Sequence, residues 1–250
     1  MDRIILVDEK GRKRLLTVKE GVEKIPGLGV VDFSKFPSTP EGKRVEIAGK
    51  KFVCLRPSVL DLIQTIERKA QIITAKDSAS IILNCDVKSG DIVLEVGSGS
   101  AAMTIVLAYF VAPNGKVVSY ERREDFARIA GKNVERAGLS DLVEIKVQDA
   151  AEGMEERNCD CAVVDIPNPW DVLDNIYQCL KPGGHIAVYV PTVNQMERVV
   201  KEMKKRPFFS VRSLEIIQRE MEVGELGTRP SYETLGHTGY LTYARMIAEE

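Results

Sequence analysis

"DIVLEVGSGSAAM", residues 91–103, is an apolar run that ends on a glycine pair and passes straight into the apolar stretch "AAMTIVLAYFVA" (101–112). The first part predicts a buried strand over 91–97, because a β-branched run closed by glycine marks a strand end. The second predicts a core helix, too short at this length to span a bilayer. Gly97 and Gly99 let the chain turn tightly and bring backbone close to a ligand. A strand, a glycine turn and a helix make half of a parallel crossover unit, and the sequence downstream repeats it. "GKVVSYE" (115–121) reads as a second strand and "REDFARIAGKNVERAGL" (123–139) as an amphipathic helix with Phe126, Ile129, Ala130 and Val134 inward. "LVEIKVQD" (142–149) and "DCAVVD" (160–165) read as strands three and four. A helix over "VLDNIYQCL" (172–180) stops at "KPGG", a fifth strand follows in "HIAVYVP" (185–191), and a helix in "NQMERVVKEMKK" (194–205). Two closing strands, 208–217 and 239–248, have no helix between them and are expected to pair antiparallel at one edge. This alternation predicts an α/β fold: a doubly wound, mostly parallel, seven-stranded sheet covered on both faces.

Upstream of about residue 70 the texture differs. "RIILVD" and the two strands in "VEIAGKKFVCL", around a Gly-Lys turn, are short alternating segments with turn signals. "PSVLDLIQTIERK" (57–69) has helical spacing, with Val59, Leu62, Ile63 and Ile66 on one face. The expected division is a small β-rich N-terminal domain over 1–70, too small to be comfortable alone, and a larger domain over 71–250. No apolar run approaches the ~20 residues that span a bilayer, and the acidic residues inside the N-terminal apolar run argue against a secretory signal. The expected location is the cytoplasm, with no membrane partner. Net charge is −2, which gives no global nucleic-acid footprint; "KGRKR" (10–14) and "KKR" (204–206) are the basic patches, and such runs are most often simply solvated. The five cysteines form no disulfide framework, and "CDC" (159–161) lacks a second ligand pair, so no metal is expected and Cys161 reads as a small buried residue.

In such a sheet, ligands bind beyond the carboxyl ends of the strands, near the point where strand order reverses. Every singular loop of this chain falls there: "EVGSGSAAM", "YERRED", "QDAAEG" and "DIPNPW". The first fits G-x-G-x-x-A, with Ala102 last and Glu121 about 20 residues on, which is the dinucleotide fingerprint. A nicotinamide dehydrogenase therefore competes on the residues alone. Glu121 ends a strand where a carboxylate accepts from two ribose hydroxyls, or pairs with Arg122 or Arg123. Asp149 can accept from an adenine amine or cap the turn that follows. In "VVDIPNPWDVL" (163–173) prolines end a strand at about Asp165 and stiffen a loop carrying Asn168 and Trp170.

Glu95 inside the first strand, the E-x-G-x-G pattern, the acidic second strand end, the third-strand Asp149 and "LKPGGHIAVYVP" together resemble class I S-adenosylmethionine-dependent methyltransferases. "QIITAKDSASII" (71–82), "VVSYERREDFARIAGKN" (117–133), "VVDIPNPWDVL", "YVPTVNQ" and "GHTGYLTYARM" (236–246) narrow this to the tRNA (adenine-N1)-methyltransferase family, over nearly the whole chain. The resemblance implies a methyl donor, S-adenosylmethionine, and a tRNA partner methylated at T-loop adenines 57 and 58. It implies a homotetramer. It implies cofactor contacts at Gly97, Gly99, Ser100, Ala101, Ala102, Met103, Glu121, Phe126, Asp149 and Asp165, with Asp165 also the catalytic residue. Trp170 or Tyr189 would wall the target base, and His237 would sit on a rim loop. Two departures stand out: Ala101 where the family usually has glycine, and Thr74-Ala75 where it has an aromatic or histidine followed by proline. The alternatives are a class I methyltransferase acting on another RNA or a small molecule, and a non-catalytic tRNA-binding subunit.

Overall fold

The computed structural model describes residues 3–36, 42–225 and 227–248. The chain opens with β1 (Arg3–Asp8) and β2 (Lys13–Thr17), then a hairpin of β3 (Val22–Ile25) and β4 (Gly29–Asp32), then β5 (Lys43–Ile47) and β6 (Lys50–Leu55). Four of these make an antiparallel sheet in the order β2-β1-β6-β5. Its Ile4, Leu6, Ile47, Phe52 and Cys54 close over a small core that Leu28, Val31 and Phe33, in and beside the β3–β4 hairpin, complete, and Ile5 is buried as well. The β5–β6 turn falls one residue earlier than expected, on Ala48 and Gly49. Both have positive φ (50° and 74°), and Ile47 pairs with Lys50, so the turn twists with its strands. The β3–β4 hairpin was not expected from the sequence.

Helix α1 (Val59–Gln64) starts on a reciprocal cap: Asp61 N–H donates to Ser58 Oγ (3.2 Å) and Ser58 N–H to Asp61 Oδ2 (2.9 Å). It ends well before the expected residue 69. Asn133 takes over the backbone beyond it: Glu67 N–H donates to Asn133 Oδ1 (2.9 Å) and Asn133 Nδ2 donates to Glu67 O (2.9 Å). A side chain that bonds both backbone groups of one residue competes directly with the next helical turn.

Then come α2 (Ala75–Asn84), β7 (Ile92–Val96), α3 (Ala102–Val111), β8 (Lys116–Tyr120), α4 (Glu124–Ala137), β9 (Val143–Lys146) and β10 (Cys159–Val164). After them follow α5 (Leu173–Cys179), β11 (Leu180–Val190), α6 (Val193–Met203), β12 (Phe208–Glu215), the hairpin β13 (Met221–Gly224) and β14 (Gly227–Pro230), and β15 (Tyr240–Met246). Seven strands form one sheet in the order β12-β15-β11-β10-β7-β8-β9. β15 pairs antiparallel with both β11 and β12, so the last strand lies inside the sheet, whose edges are β12 and β9. The central strands are apolar on both faces because helices cover both: α1 to α4 pack over one core, α5 and α6 over the other. Cys161 is fully buried in β10. "KPGG" lies in a bulge at the start of β11, where Cys159 pairs with Leu180 and Cys161 with His185. No helix among the described residues is long and apolar enough to cross a membrane.

The chain steps one way from β7 through β8 to β9, then returns to β10 on the other side of β7. The carboxyl ends of β7 and β10 part at that reversal, where a crevice must open.

Candidate functional site

A cleft of about 350 Å3 opens there, within the size range of small-ligand sites. Gly97, Gly99, Tyr120, Glu121, Asp149 and Asp165 form its floor and walls, and Ala70 and Gln71 reach over it. The ladder runs one residue past the strands: Gly97 N–H donates to Tyr120 O (2.8 Å) and Asp165 N–H to Val96 O (2.9 Å). This draws the two strand ends so close that a Cβ on Gly97 would lie 2.2 Å from Asp165 O, at φ +99°. Only glycine fits.

Gly99, at φ +52°, donates its N–H to Glu121 Oε2 (3.1 Å). The other carboxylate oxygen of Glu121 accepts from Arg123 N–H (3.1 Å) and lies 3.4 Å from Arg123 Nε. Glu121 is only 5% exposed. The glycine turn is thus folded onto a carboxylate, an arrangement that repels a pyrophosphate and weighs against a dinucleotide.

Asp165 has no hydrogen-bond partner for its side chain among the described residues, so it is not a helix cap. Burial, and then the negative charge of Glu121, push its carboxyl up to about 7. Glu95 sits beside it, paired in register with Val163 of β10 and 1% exposed. Burial pushes its carboxyl up to about 7 as well, helped by the charges of Asp165 and Glu121. The hydroxyls of Ser119 and Thr104 (2.6 Å) donate to it and oppose the rise. Three carboxylates therefore stand on neighbouring strands, and the charge of Glu121 raises the other two, an arrangement that favours a bound cation. Asp149 Oδ1 accepts from Ala151 N–H (3.0 Å), and Oδ2 lies 3.7 Å from Arg122.

Other residues singled out in the sequence do not line this cleft. Ser100 is 2% exposed and accepts the Lys69 N–H (3.0 Å). Ala101, Ala102 and Met103 are buried at the start of α3. Phe126 is covered by the Arg123 guanidinium, 3.5 Å above its ring, and by Lys69. Trp170 is half-buried, and Arg198 stacks on it at 3.7 Å. Tyr189 is buried and donates its hydroxyl to Thr238 O. His237 bridges Glu215 (2.7 Å) and Pro191 O (2.8 Å), and its hydrogen bond to Glu215 raises its basicity.

Sequence reasoning passed over three residues. Asn133, 1% exposed, ties segment 65–72 to α4 and also donates to Ser100 O (3.1 Å). Asp77, fully buried, pairs with Lys76 (2.7 Å) and accepts from Thr238 Oγ1 (2.8 Å). Thr238 thereby fastens the loop before β15 to the start of α2. The quoted motifs "ITAKD" and "GHTGY" are two halves of this one buried contact.

Residues 55–227 match the family described as the tRNA methyltransferase complex GCD14 subunit. The chain belongs to that family. It is 34% identical to a tRNA (adenine(57)-N(1)/adenine(58)-N(1))-methyltransferase of Methanocaldococcus jannaschii, over 98% of this chain and 95% of the relative. A crystal structure described as a SAM-dependent O-methyltransferase from Thermotoga maritima superposes with a TM-score of 0.85 at 34% identity, over 100% of this chain and 94% of the other. A tRNA (m1A58) methyltransferase from Aquifex aeolicus gives 0.79 at 27% identity, over 99% and 98%.

Within the GCD14 family pattern, both departures have visible consequences. Ala101 takes the left-handed conformation (φ 64°, ψ 24°) that glycine adopts without strain. Thr74 puts no ring near the cleft; its hydroxyl donates to Asp77 Oδ2 (2.8 Å).

Proposed function

We propose that this GCD14-family chain transfers the methyl group of S-adenosylmethionine to N1 of T-loop adenines in tRNA, at position 58 and also at 57. The observation that carries this reading is Asp165: a carboxylate without a hydrogen-bond partner, held at the strand reversal by the Gly97 contact. The cofactor supplies an electrophilic methyl group on a sulfonium. Its positive charge suits a cleft lined by Glu121, Asp149 and Asp165, with no phosphate cradle. Gly97, Gly99, Glu121, Asp149 and Asp165 line the cleft and would hold it directly; Ser100, Ala101, Ala102, Met103 and Phe126 would support that surface from behind.

Neutral adenine already carries a lone pair on N1, so the reaction asks for a pose and a polarised ring rather than a strong base. Asp165 accepts from the exocyclic amine of a base turned out of the T-loop, and so rejects guanine, which presents a carbonyl there. The loop behind it is stiff: Pro167 and Pro169 restrict it, and Gln195 Nε2 donates to Pro167 O (2.9 Å). The ionised carboxylate accepts more strongly than the acid and polarises the ring more. With Asp165 near 7, turnover rises with pH through neutrality.

The same reading gives a homotetramer in the cytoplasm and a division near residue 70 between a small β-rich part and the catalytic domain. A second reading is transfer to a hydroxyl oxygen. It is favoured by the Thermotoga maritima neighbour's description and by a carboxyl basic enough to take a hydroxyl proton. Incubation with unmodified tRNA and labelled methyl donor, followed by nucleoside mass spectrometry, separates them. 1-Methyladenosine in the T-loop fragment is expected; label only on ribose oxygen, or none on tRNA, would sink the adenine reading.

A further inference from the structure

Residues 1–55 carry 12 Lys and Arg against 8 Asp and Glu, while the remaining 195 residues carry 23 against 29. The near-neutral total hides an opposition: the small β-rich part is cationic and the catalytic part anionic. For an enzyme acting on a polyanion, the part without the chemistry carries the favourable charge.

The fold concentrates that charge. β1 pairs with β6 so that Asp8 faces Phe52, and β5 with β6 so that Ile47 faces Lys50. The β1–β2, β3–β4 and β5–β6 turns therefore meet at one end of the sheet. Between them lies a groove of about 310 Å3 with Leu28 and Phe52 at its base and Lys10, Arg12, Lys50 and Lys51 on its walls. Two acids, Asp8 and Glu9, line it against five Lys and Arg, and Asp8 is already paired. It accepts the Lys10 and Arg12 N–H groups (both 2.9 Å) and pairs with Arg12 Nε (2.7 Å). Arg14 is fixed in place, donating to Pro26 O (3.0 Å) against Gly27, where a Cβ would meet its Nη1 at 2.9 Å. Lys10, Lys50 and Lys51 are exposed and have no ion-pair partner among the described residues.

The other basic run fares differently. Just beyond α6, Lys205 pairs with Glu202 (2.7 Å) and Arg206 with Asp174 (2.5 Å) and Glu202 (3.1 Å), so two of its three cations face carboxylates.

We propose that the groove at the tip of the N-terminal sheet docks the phosphate backbone of the tRNA substrate, away from the catalytic cleft. This rests on the tRNA reading above. Lysines around an apolar base, with no exposed aromatic to stack on, read phosphate position and not sequence. The T-loop adenine enters the cleft while another stretch of the same tRNA is held by the groove.

The test is the triple variant K10A/K50A/K51A, which changes only exposed side chains. Its tRNA affinity is expected to fall about tenfold or more at low salt. The slope of log K against log salt should shrink by about 2–3, since each phosphate contact contributes ~0.9. KM for tRNA should rise, while kcat at saturating tRNA and S-adenosylmethionine affinity stay unchanged. A variant with wild-type tRNA affinity and salt slope would overturn the groove, provided the wild type binds and methylates tRNA. A wild type that does neither would overturn the tRNA reading itself.

Discussion

Asp165→Asn tests whether Asp165 serves the site at the expense of the fold. The folded carboxyl titrates near 7 because burial and Glu121 disfavour its charge, against about 3.9 in the unfolded chain. An acid whose folded value is raised contributes stability at low pH and loses it as pH climbs from about 4 through about 7. By pH 8 the full gap of roughly 3 units is felt, ~4 kcal/mol at 1.36 kcal/mol per unit. At pH 5 only about a unit of it is felt, ~1.5 kcal/mol. Water in the cleft screens part of this, so the amide should stabilise the protein by ~1–2 kcal/mol more at pH 8 than at pH 5. That is ~3–6 °C for a chain of this size. Removing the charge also relieves Glu95, which Asp165 raises, and this acts in the same direction. Thermal unfolding of ligand-free wild type and variant at the two pH values gives the answer. Methylation should fall by about 10²-fold or more. A variant destabilised equally at both pH values would show that Asp165 holds the fold together and refute the electrostatic argument.

Gly97→Ala places a methyl group 2.2 Å from Asp165 O at φ +99°; we expect ~3 kcal/mol or more of lost stability and no measurable cofactor binding by calorimetry. Asn133→Ala orphans the Glu67 backbone and Ser100 O, at a cost of ~1–3 kcal/mol, and should accelerate hydrogen exchange across 65–72 before that of β7. Ala101→Gly should be nearly neutral in urea unfolding, because relief of ~1 kcal/mol of left-handed strain is offset by ~0.8 kcal/mol for a buried methyl. Lastly, the preference for S-adenosylmethionine over its uncharged thioether product should widen between pH 5.5 and 8 as Asp165 and Glu95 ionise; a constant ratio by calorimetry would contradict a cation-seeking cleft.

Much of the fold was legible because its signals are local. β7, β8 and β10 are apolar runs, and parallel strands buried on both faces must be so. The errors came where a long-range contact overrode a local preference. Ile66 continues the apolar spacing of α1, yet the helix has ended, because Asn133, distant in sequence, claims the backbone of Glu67. β15 runs between β11 and β12 because its partners lie on both sides, and pairing order has no local signature. The β13–β14 hairpin carries few apolar residues and buries almost nothing, so periodicity could not flag it.

The site divides along the same line. Gly97 and Glu121 were visible as types: a glycine where backbone must approach, a carboxylate where an apolar strand stops. What each touches was not. The 2.2 Å approach that makes Gly97 irreplaceable is to the very residue, Asp165, whose ionisation the cleft perturbs. Sequence could not show that the two loops form one contact. Nor could it show that Glu95, which reads as a strand residue, completes a trio of carboxylates with Glu121 and Asp165. Each of the three sits at the end or on the flank of a separate strand, and only the order β10-β7-β8 brings them side by side. That order is the same reversal that opens the crevice. The topology that creates room for a ligand therefore also assembles the carboxylates that favour a cationic one, and the two features come from a single reversal of strand order.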